Sequence, residues 1–363
     1  MYRLPLMLAL SVWIAAGQSP QHAIELHQSG DLEGAIREYR EFLKVRPDAV
    51  AVRSNLGAAL AKTGRYEEAI AQYKLALEKD PKNAAIRLNL AIANYKVAQI
   101  PTAAEELTEV HKVQPNNRQA ILLLADCDLR LGENKRVIDL LSPLERDSQD
   151  DKGFRYLLGT ALIRDNQTER GQVLVDRILR DGDSAEARLL LGTTKFYAHD
   201  YAGALVDLKK AVELNPGLPD VYSYYGLALL STGDETGAAE AFRTELRTNP
   251  NDFVSNLQLG VVLKQDRNDE ARKYFERALL VRPGDPGVRY QIATLELAAG
   301  RVEEARSTLE KLTRERPAFI EAHVSLATVY YRLKRKADGD RERAIVLKLN
   351  ADKQALQPGV NVP

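Results

Sequence analysis

The sequence is poor in the residues that build catalytic, redox and metal sites. Its 363 residues include one cysteine, Cys127, and five histidines. A single cysteine excludes an intramolecular disulfide. His22 and His27 are five residues apart, which on a helix separates their side chains by about 140°, the wrong geometry for one metal ion. We therefore predict no bound metal and no cofactor.

Catalytic motifs are missing as well. The chain has no G-x-x-x-x-G-K-[ST] phosphate loop, no H-E-x-x-H zinc helix, no C-x-x-C pair and no G-x-S-x-G elbow. Acidic pairs such as Glu67–Glu68 and Glu303–Glu304 stand at predicted helix starts, where carboxylates stabilise the helix dipole. These pairs need no catalytic role, and we predict that the protein is not an enzyme.

The chain carries no excess of charge of either sign. It has 51 basic and 51 acidic residues. Binding to a nucleic-acid backbone requires an excess of basic surface. The composition therefore predicts no nucleic-acid partner.

Residues 1–17 differ in composition from the rest of the chain. They contain one basic residue, Arg3, an apolar run from Leu4 to Ala16, and Gly17 before a polar stretch. These are the features of a secretory signal peptide, and the run is shorter than the roughly 20 residues that span a bilayer. We predict cleavage before Gln18 and an exported protein, in a bacterial periplasm or secreted, with no integral membrane segment afterwards. An uncleaved anchor is the alternative.

A helical phrase of eighteen residues recurs along the chain. In GRYEEAIAQYKLALEKDP, which ends at Pro81, the apolar residues Ala69, Tyr73 and Ala76 follow the period of one helix face, and the proline ends the helix. The closing prolines follow one another at steps of 34 or 33 residues in two series: Pro47, Pro81 and Pro115, then Pro216, Pro250, Pro283 and Pro317. A fixed period in this range indicates a solenoid of helical repeats.

The repeat NLGAALAKTGRYEEAIAQYKLALEKDP resembles the tetratricopeptide repeat. When Val50 is counted as position 1, the matches to the family pattern are Leu56 and Gly57 at positions 7 and 8, Ala69 at 20, Tyr73 at 24, Ala76 at 27 and Pro81 at 32. The resemblance covers roughly residues 16 to 350 as about ten repeats. It implies an all-α fold, an α-solenoid of antiparallel helix pairs, which we assign to residues 18–351, with a C-terminal tail at 352–363.

A small residue recurs at position 8 of the repeats. The series is Ala23, Gly57, Ala91, Ala125, Gly159, Gly192, Gly226, Gly260, Ala293 and Ala327. Ten small residues in phase indicate a close approach of two helices. We expect the partner to be the alanine twelve residues later, such as Ala69 for Gly57.

Two departures from the family pattern bear on the structure. The tryptophan of position 4 is absent, and half of the repeats have an arginine there: Arg53, Arg87, Arg155, Arg188 and Arg289. We expect these arginines to lay their aliphatic stems on the next repeat and to keep the charged heads in water. Residues 118–184 match the pattern least well, with Gly171 replacing the alanine of position 20, and are predicted to be the softest part.

The resemblance implies a partner site on the first helix of each repeat, because these helices line a concave groove in the family. Carried over position by position, the candidate contacts are Asn55, Asn89, Tyr156, Thr160, Phe196, Tyr197, Tyr224, Tyr290, Gln291 and Tyr331. Asparagine can hold a peptide backbone as donor and acceptor, and tyrosine offers a large rigid contact. Asn55 and Asn89 also match the ordinary family residue at position 6, so ancestry alone is an alternative explanation for them.

Four basic residues, Lys62, Lys96, Arg130 and Arg164, follow one another at steps of 34 residues at position 13. Two interpretations are open. A cation at a helix C-terminus is stabilised by the helix dipole. Alternatively, the row binds an acidic segment of a partner, and the aromatic second half of the array binds an apolar one.

Together these observations favour a non-catalytic scaffold that binds a peptide or an extended protein segment in a concave groove. Two alternatives are open. The array could be the regulatory or substrate-binding arm of a separate enzyme chain such as a glycosyltransferase. It could also be an adaptor in envelope assembly, with two partners on different faces.

Overall fold

The computed structural model describes residues 20–148, 150–180, 182–264 and 267–355. Within these residues the chain forms twenty α-helices and no β-strand, and the predicted all-α solenoid is confirmed. The chain divides between Leu124 and Ala125 into two compact units. Residues 1–17, predicted as a signal peptide, and residues 356–363 of the predicted tail lie outside the described residues.

The first unit contains six whole helices. They are α1 (Gln21–Ser29), α2 (Leu32–Val45), α3 (Val50–Lys62), α4 (Tyr66–Lys79), α5 (Ala84–Lys96) and α6 (Ile100–Val113). The helix α7 (Arg118–Leu131) contains the division between the units. The second unit continues with α8 (Asn134–Leu141), α9 (Lys152–Arg164), α10 (Thr168–Arg180), α11 (Ala185–Tyr197), α12 (Tyr201–Leu214), α13 (Val221–Ser231), α14 (Glu235–Thr248), α15 (Phe253–Leu263), α16 (Asn268–Val281), α17 (Pro286–Ala298), α18 (Val302–Glu315), α19 (Ile320–Arg332) and α20 (Lys336–Ala355).

Short polar side chains fix where many of these helices begin. Asp31 stands directly before α2, and its Oδ1 accepts a hydrogen bond from the Gly34 N–H at 2.8 Å. Asn83 caps α5 in the same way, with its Oδ1 3.1 Å from the Ile86 N–H. Such caps satisfy amides of the first turn that have no partner within the helix. The caps therefore set the helix starts at the repeat period seen in the sequence.

Within each unit the helices form an inner and an outer layer. Odd-numbered helices pack against the even-numbered helix that follows, as α3 does against α4 and α11 against α12. Odd-numbered helices of neighbouring repeats also contact each other, as α3 and α5 do in the first unit and α11 and α13 in the second. Helices that approach one another from repeat to repeat lie on the inner side of a curved array. The odd-numbered helices, which carry the predicted partner site, are therefore the inner layer of each unit.

The glycines of position 8 make room for a large side chain of the outer helix, and the predicted approach to position 20 is also seen, because a Cβ atom added to Gly192 would lie 3.2 Å from the Ala204 carbonyl oxygen. A Cβ atom added to Gly57 would lie 2.6 Å from Cε1 of Tyr73, sixteen residues later. A Cβ atom added to Gly226 would lie at the same distance from Cε1 of Phe242. The close approach therefore joins position 8 to the large residue of position 24, because the ring of the outer helix lies directly on the inner helix.

Two of the arginines of position 4, Arg53 and Arg87, bind the turn that precedes their own helix. Arg53 Nε donates to the carbonyl oxygen of Pro47 at 2.8 Å, and its Nη1 donates to Gln72 Oε1 at 3.0 Å. Arg87 makes the equivalent bond to Pro81 at 3.1 Å. Other side chains at this position contact the same carbonyl in later repeats: Asn256 that of Pro250, and His323 that of Pro317. The charged heads of Arg53 and Arg87 thus bind a backbone carbonyl while the side chains stay partly exposed, a contact that was not predicted.

The repeats at 118–184 are irregular in geometry. The helix α8 has 8 residues, whereas α4, α6 and α12 have 14. Two short 3-10 turns, Ser142–Leu144 and Arg146–Ser148, stand where the rest of the helix would be. In α10, a Cβ atom on Gly171 would lie 2.6 Å from Ile163 Cγ1, so the glycine permits a close approach to α9.

The last helix is the longest. The helix α20 has 20 residues and ends at Ala355, so it includes four residues that the sequence analysis assigned to the tail. His323 of α19 anchors it, because one ring nitrogen, Nδ1, contacts Glu342 of α20 and the other contacts the Pro317 carbonyl at 3.0 Å. In the part of the chain that the structure describes, no helix combines the length and the apolar character needed to cross a membrane.

Candidate partner-binding surfaces

The inner layer of the first unit carries two half-buried asparagines. Asn55 lies on α3 and Asn89 on α5, in consecutive repeats. Burial raises the pKa of Tyr39, and a side-chain hydrogen bond with Asn55 offsets part of this rise. Asn89 forms no comparable bond within the described residues. Of the two predicted asparagines, Asn89 is therefore the one whose amide is available to a partner.

Two lysines mark the ends of the same inner helices. Lys62 is the last residue of α3 and Lys96 the last residue of α5, and both side chains are exposed. Neither pairs with a carboxylate within the described residues. Both positions gain from the helix dipole, but their charges are otherwise uncompensated by the chain.

The equivalent basic residues of the second unit are bound by the chain itself. Arg130 Nε lies 2.9 Å from Asp126 Oδ2. Arg164 Nε donates to the Tyr224 hydroxyl at 2.7 Å, and its guanidinium lies 4.0 Å from Asp220 Oδ2. The four residues that form one row in the sequence are thus two exposed lysines in the first unit and two paired arginines in the second.

The predicted aromatic contacts of the second unit differ in accessibility. Tyr224 and Thr160 are buried, with 3% and 2% of their surface exposed, and Tyr156 is half-buried. Burial raises the pKa values of both Tyr156 and Tyr224. The structure therefore brings Tyr224 together with Arg164 in the interior of the unit, where these side chains contact each other.

Phe196 packs against the same hydrophobic cluster as Tyr224, and Tyr197 lies close enough to Arg164 and Tyr224 to influence the pKa values of both. Phe196 and Tyr197 form an edge-to-face pair with ring centres 5.7 Å apart, and Tyr197 is 38% exposed. The remaining predicted residues bind neighbours: Tyr290 packs on Phe319 at 5.4 Å, Gln291 Oε1 accepts from Lys264 at 2.7 Å, and the Tyr331 hydroxyl donates to Asp340 at 2.8 Å. The aromatic positions do not form one continuous surface.

A buried acidic group was missed by the sequence analysis. Glu245 is 2% exposed, and its Oε1 accepts the Asp220 backbone N–H at 3.1 Å. Burial, with the negative charges of Asp252 and Asp220, raises the pKa of Glu245 to about 8. Asp252 Oδ1 in turn accepts from the Ser223 hydroxyl at 2.6 Å. Glu245 stands at position 27 of its repeat, where the family pattern has an alanine such as Ala76, and this departure is the signal that could have indicated the group.

Position 11 is occupied by a buried polar residue in some repeats. In the repeat formed by α3 and α4 the residue at this position is Leu60. Asn94 is fully buried, and neither its Nδ2 nor its Oδ1 has a hydrogen-bond partner. Asp128 is 1% exposed and lies 3.4 Å from Arg136 Nη2, and burial raises its pKa to about 6. These residues weaken the core of the repeats that contain them.

The chain is similar to helical repeat proteins of known sequence and structure. A family model described as tetratricopeptide repeat matches residues 21–84 and 189–253, and a second model with that description matches residues 262–329. These segments cover more than half of the chain. Superkiller protein 3 of Schizosaccharomyces pombe is 39% identical over 93 residues, which make up 25% of this chain and 7% of that protein.

A similar fold occurs in a solved structure, described as the APC/C hetero-tetramer of Cut9 and Hcn1. The match has a TM-score of 0.59 and 14% identity, and it covers 92% of this chain and 74% of the other. At this identity the similarity concerns the fold alone. The chain spans a small fraction of the curated relative, Superkiller protein 3, so that protein's activity is not transferred.

Proposed function

The chain belongs to the tetratricopeptide repeat family, and from that premise we propose that it is a non-catalytic scaffold that binds an extended protein segment along the inner layer of residues 20–124. The observation that carries this proposal is the contrast between the units. Lys62 and Lys96 are exposed and unpaired, whereas Arg130 and Arg164 bind groups of the chain itself. Asn89 lies on the same inner helix as Lys96 and adds an amide with no partner within the described residues.

The unpaired lysines favour an acidic partner segment. Attraction between exposed charges weakens with salt, because the Debye length falls from about 10 Å at 0.1 M to about 3 Å at 1 M. An uncompensated pair of cations on one face also disfavours a basic segment by like-charge repulsion. We propose no reaction and no nucleic-acid partner, since the chain has no excess of basic residues.

The test is binding of a labelled peptide that alternates glutamate with leucine, followed by fluorescence anisotropy. We expect binding that weakens with salt and that is reduced in the double variant Lys62→Gln/Lys96→Gln. The matched control is Lys74→Gln/Lys82→Gln, which removes two exposed lysines outside the inner layer. Equal affinity in all three proteins, or equal binding of a lysine–leucine peptide, would contradict the proposal.

We also propose that residues 1–17 direct export and that the mature protein begins at Gln18. N-terminal sequencing of exported protein tests this, and retention of Trp13 would contradict it. Each of the two alternative functions requires a partner protein and can be recognised by how that partner binds. An enzyme arm would co-purify with a glycosyltransferase whose activity is lost without the array, and an envelope adaptor would hold two partners at once on different faces.

A further inference from the structure

An arginine links two distant parts of the second unit. Arg282 follows directly after α16, and its Nε donates a hydrogen bond at 2.7 Å to the carbonyl oxygen of Arg130, 152 residues earlier in the chain. A Cβ atom added to Gly132 would lie 3.2 Å from Arg282 Nη1. The guanidinium therefore lies against the turn that follows α7.

The contact caps a helix. Arg130 is the next-to-last residue of α7. Its carbonyl is therefore one of the last four of the helix, which receive no hydrogen bond from an N–H of the same helix. These carbonyls carry the partial negative charge of the helix C-terminus and attract a cation. Arg282 supplies that cation from another repeat, where a local side chain or water would ordinarily serve.

The guanidinium of Arg282 is held in place from its other side. It stacks on the ring of Phe253, the first residue of α15, with 3.8 Å between Cζ and the ring centre. Within the described residues it pairs with no carboxylate, and burial and the charge of Arg164 lower its pKa. Its contacts are thus the aromatic ring beneath it and the end of α7 in front of it.

A second arginine reaches the same helix end. Arg164, the last residue of α9, donates from Nη1 to the Leu129 carbonyl at 3.3 Å and from Nε to the Tyr224 hydroxyl at 2.7 Å. Tyr224 belongs to α13, sixty residues further along the chain. The end of α7 is therefore joined to α9 and to the turn after α16 by arginine side chains, and through Arg164 to α13.

Within the part of the chain that the structure describes, two arginines at the corresponding place in other repeats make no such contact. Arg46 follows α2 and Arg316 follows α18, as Arg282 follows α16. Both Arg46 and Arg316 are exposed. The repeat position alone does not produce the contact, and Arg316 provides a matched control in the same unit.

We infer that Arg282 is a latch that holds the end of α7 to the turn after α16 and so closes the inner side of the second unit. The latch is a property of the free chain. Its test needs no partner, and its failure would leave the proposed binding to residues 20–124 untouched.

The test measures a distance across the latch in the full-length protein. Spin labels are placed on cysteines introduced by Lys135→Cys in α8 and Arg277→Cys in α16, two exposed positions, whereas the native Cys127 is buried. We expect a narrow distance distribution in the labelled parent and in the Arg316→Met control. In Arg282→Met we expect a longer and broader distribution, together with faster hydrogen exchange at Gly132 and Glu133.

A folded Arg282→Met protein with the distribution of the parent would overturn the inference. If Arg282→Met loses its helical circular dichroism, the distance is measured in Phe253→Leu instead. This variant removes the ring beneath the guanidinium and keeps the arginine. We expect a broadened distribution in Phe253→Leu. An unchanged one would overturn the inference equally.

Discussion

Arg87 donates two hydrogen bonds to the carbonyl oxygen of Pro81, from Nε at 3.1 Å and from Nη2 at 2.9 Å. Through Nη1 the same side chain pairs with Glu106 of α6. One arginine thus ties the turn before its helix to the outer helix of its own repeat. Hydrogen bonds to a charged group are stronger than those between neutral groups, so this arrangement stabilises the junction between repeats.

We expect Arg87→Met to lower the free energy of unfolding by about 1.5–3 kcal/mol, because it removes charge-assisted bonds and leaves Glu106 unpaired. Denaturant unfolding measures the change. Arg37→Met, at an exposed position of α2, is the control and should change stability by less than about 0.5 kcal/mol. Equal effects in the two variants would show that the turn needs no side chain at position 4.

The period of the array could be predicted from the sequence, but the role of these arginines could not. Helix pairs repeat because Pro81 and its counterparts end each phrase at a fixed step, and this signal is local. The bond from Arg87 to the Pro81 carbonyl depends on how tightly the turn folds back. A sequence pattern records only the residue type. The same arginine is compatible with a guanidinium group in water and with one bound to a carbonyl.

A second prediction concerns the effect on stability of replacing the glycine at position 8. A Cβ atom on Gly226 would lie 2.6 Å from the Phe242 ring, whereas the repeat with Ala91 at this position has Leu107 in place of the ring, and both are fully buried. We expect Gly226→Ala to destabilise the protein by about 1–3 kcal/mol through overpacking. The double variant Gly226→Ala/Phe242→Leu should recover part of this loss. Additive losses in thermal unfolding would contradict the proposed ring contact.

Asn94 offers a stabilising substitution. Its amide is buried without a hydrogen-bond partner, at the repeat position where Leu60 is packed in the preceding repeat. An unsatisfied buried polar group costs about 1–3 kcal/mol, so we expect Asn94→Leu to raise the free energy of unfolding by about that amount. Leu60→Asn is the converse control and should lower it. A loss of stability in Asn94→Leu would mean that Asn94 has a partner in solution.

Glu245 should make stability depend on pH. The pKa of its carboxyl rises from the ordinary 4.5 to about 8 in the folded chain, so the folded state holds a proton that the unfolded state has lost in this window. The contribution of Glu245 to the free energy of unfolding is fully present below the ordinary pKa and is lost as the pH rises to about 8. At about 1.4 kcal/mol per pKa unit, the loss is on the order of 3 kcal/mol after relaxation of the buried site.

Urea unfolding across this pH window checks the prediction. We expect the free energy of unfolding of Glu245→Gln to decline less as the pH rises, because a neutral amide oxygen can still accept the Asp220 N–H. Glu240→Gln, at an exposed position of α14, should keep the decline of the parent. Parallel profiles for all three proteins would show that Glu245 is ionised at neutral pH.

The candidate site could be predicted in part. The step of 34 residues correctly places Lys62 and Lys96 at the ends of inner helices, where they are exposed. The same step gives no warning that Arg164 binds Tyr224, sixty residues later. That contact depends on the curvature of the second unit, and no local pattern encodes which side chains meet across an array.

The most direct test of the proposed function is site-specific photocrosslinking in an extract of the source cells. A photoreactive side chain is placed at Ile92, half-exposed on the inner helix α5, or at Glu105, exposed on the outer helix α6. We expect the probe at Ile92 to capture a partner at a segment rich in aspartate and glutamate, and the probe at Glu105 not to do so. We expect Lys62→Gln/Lys96→Gln to reduce the capture. Capture of the partner from position Glu105, with none from position Ile92, would contradict binding along the inner layer.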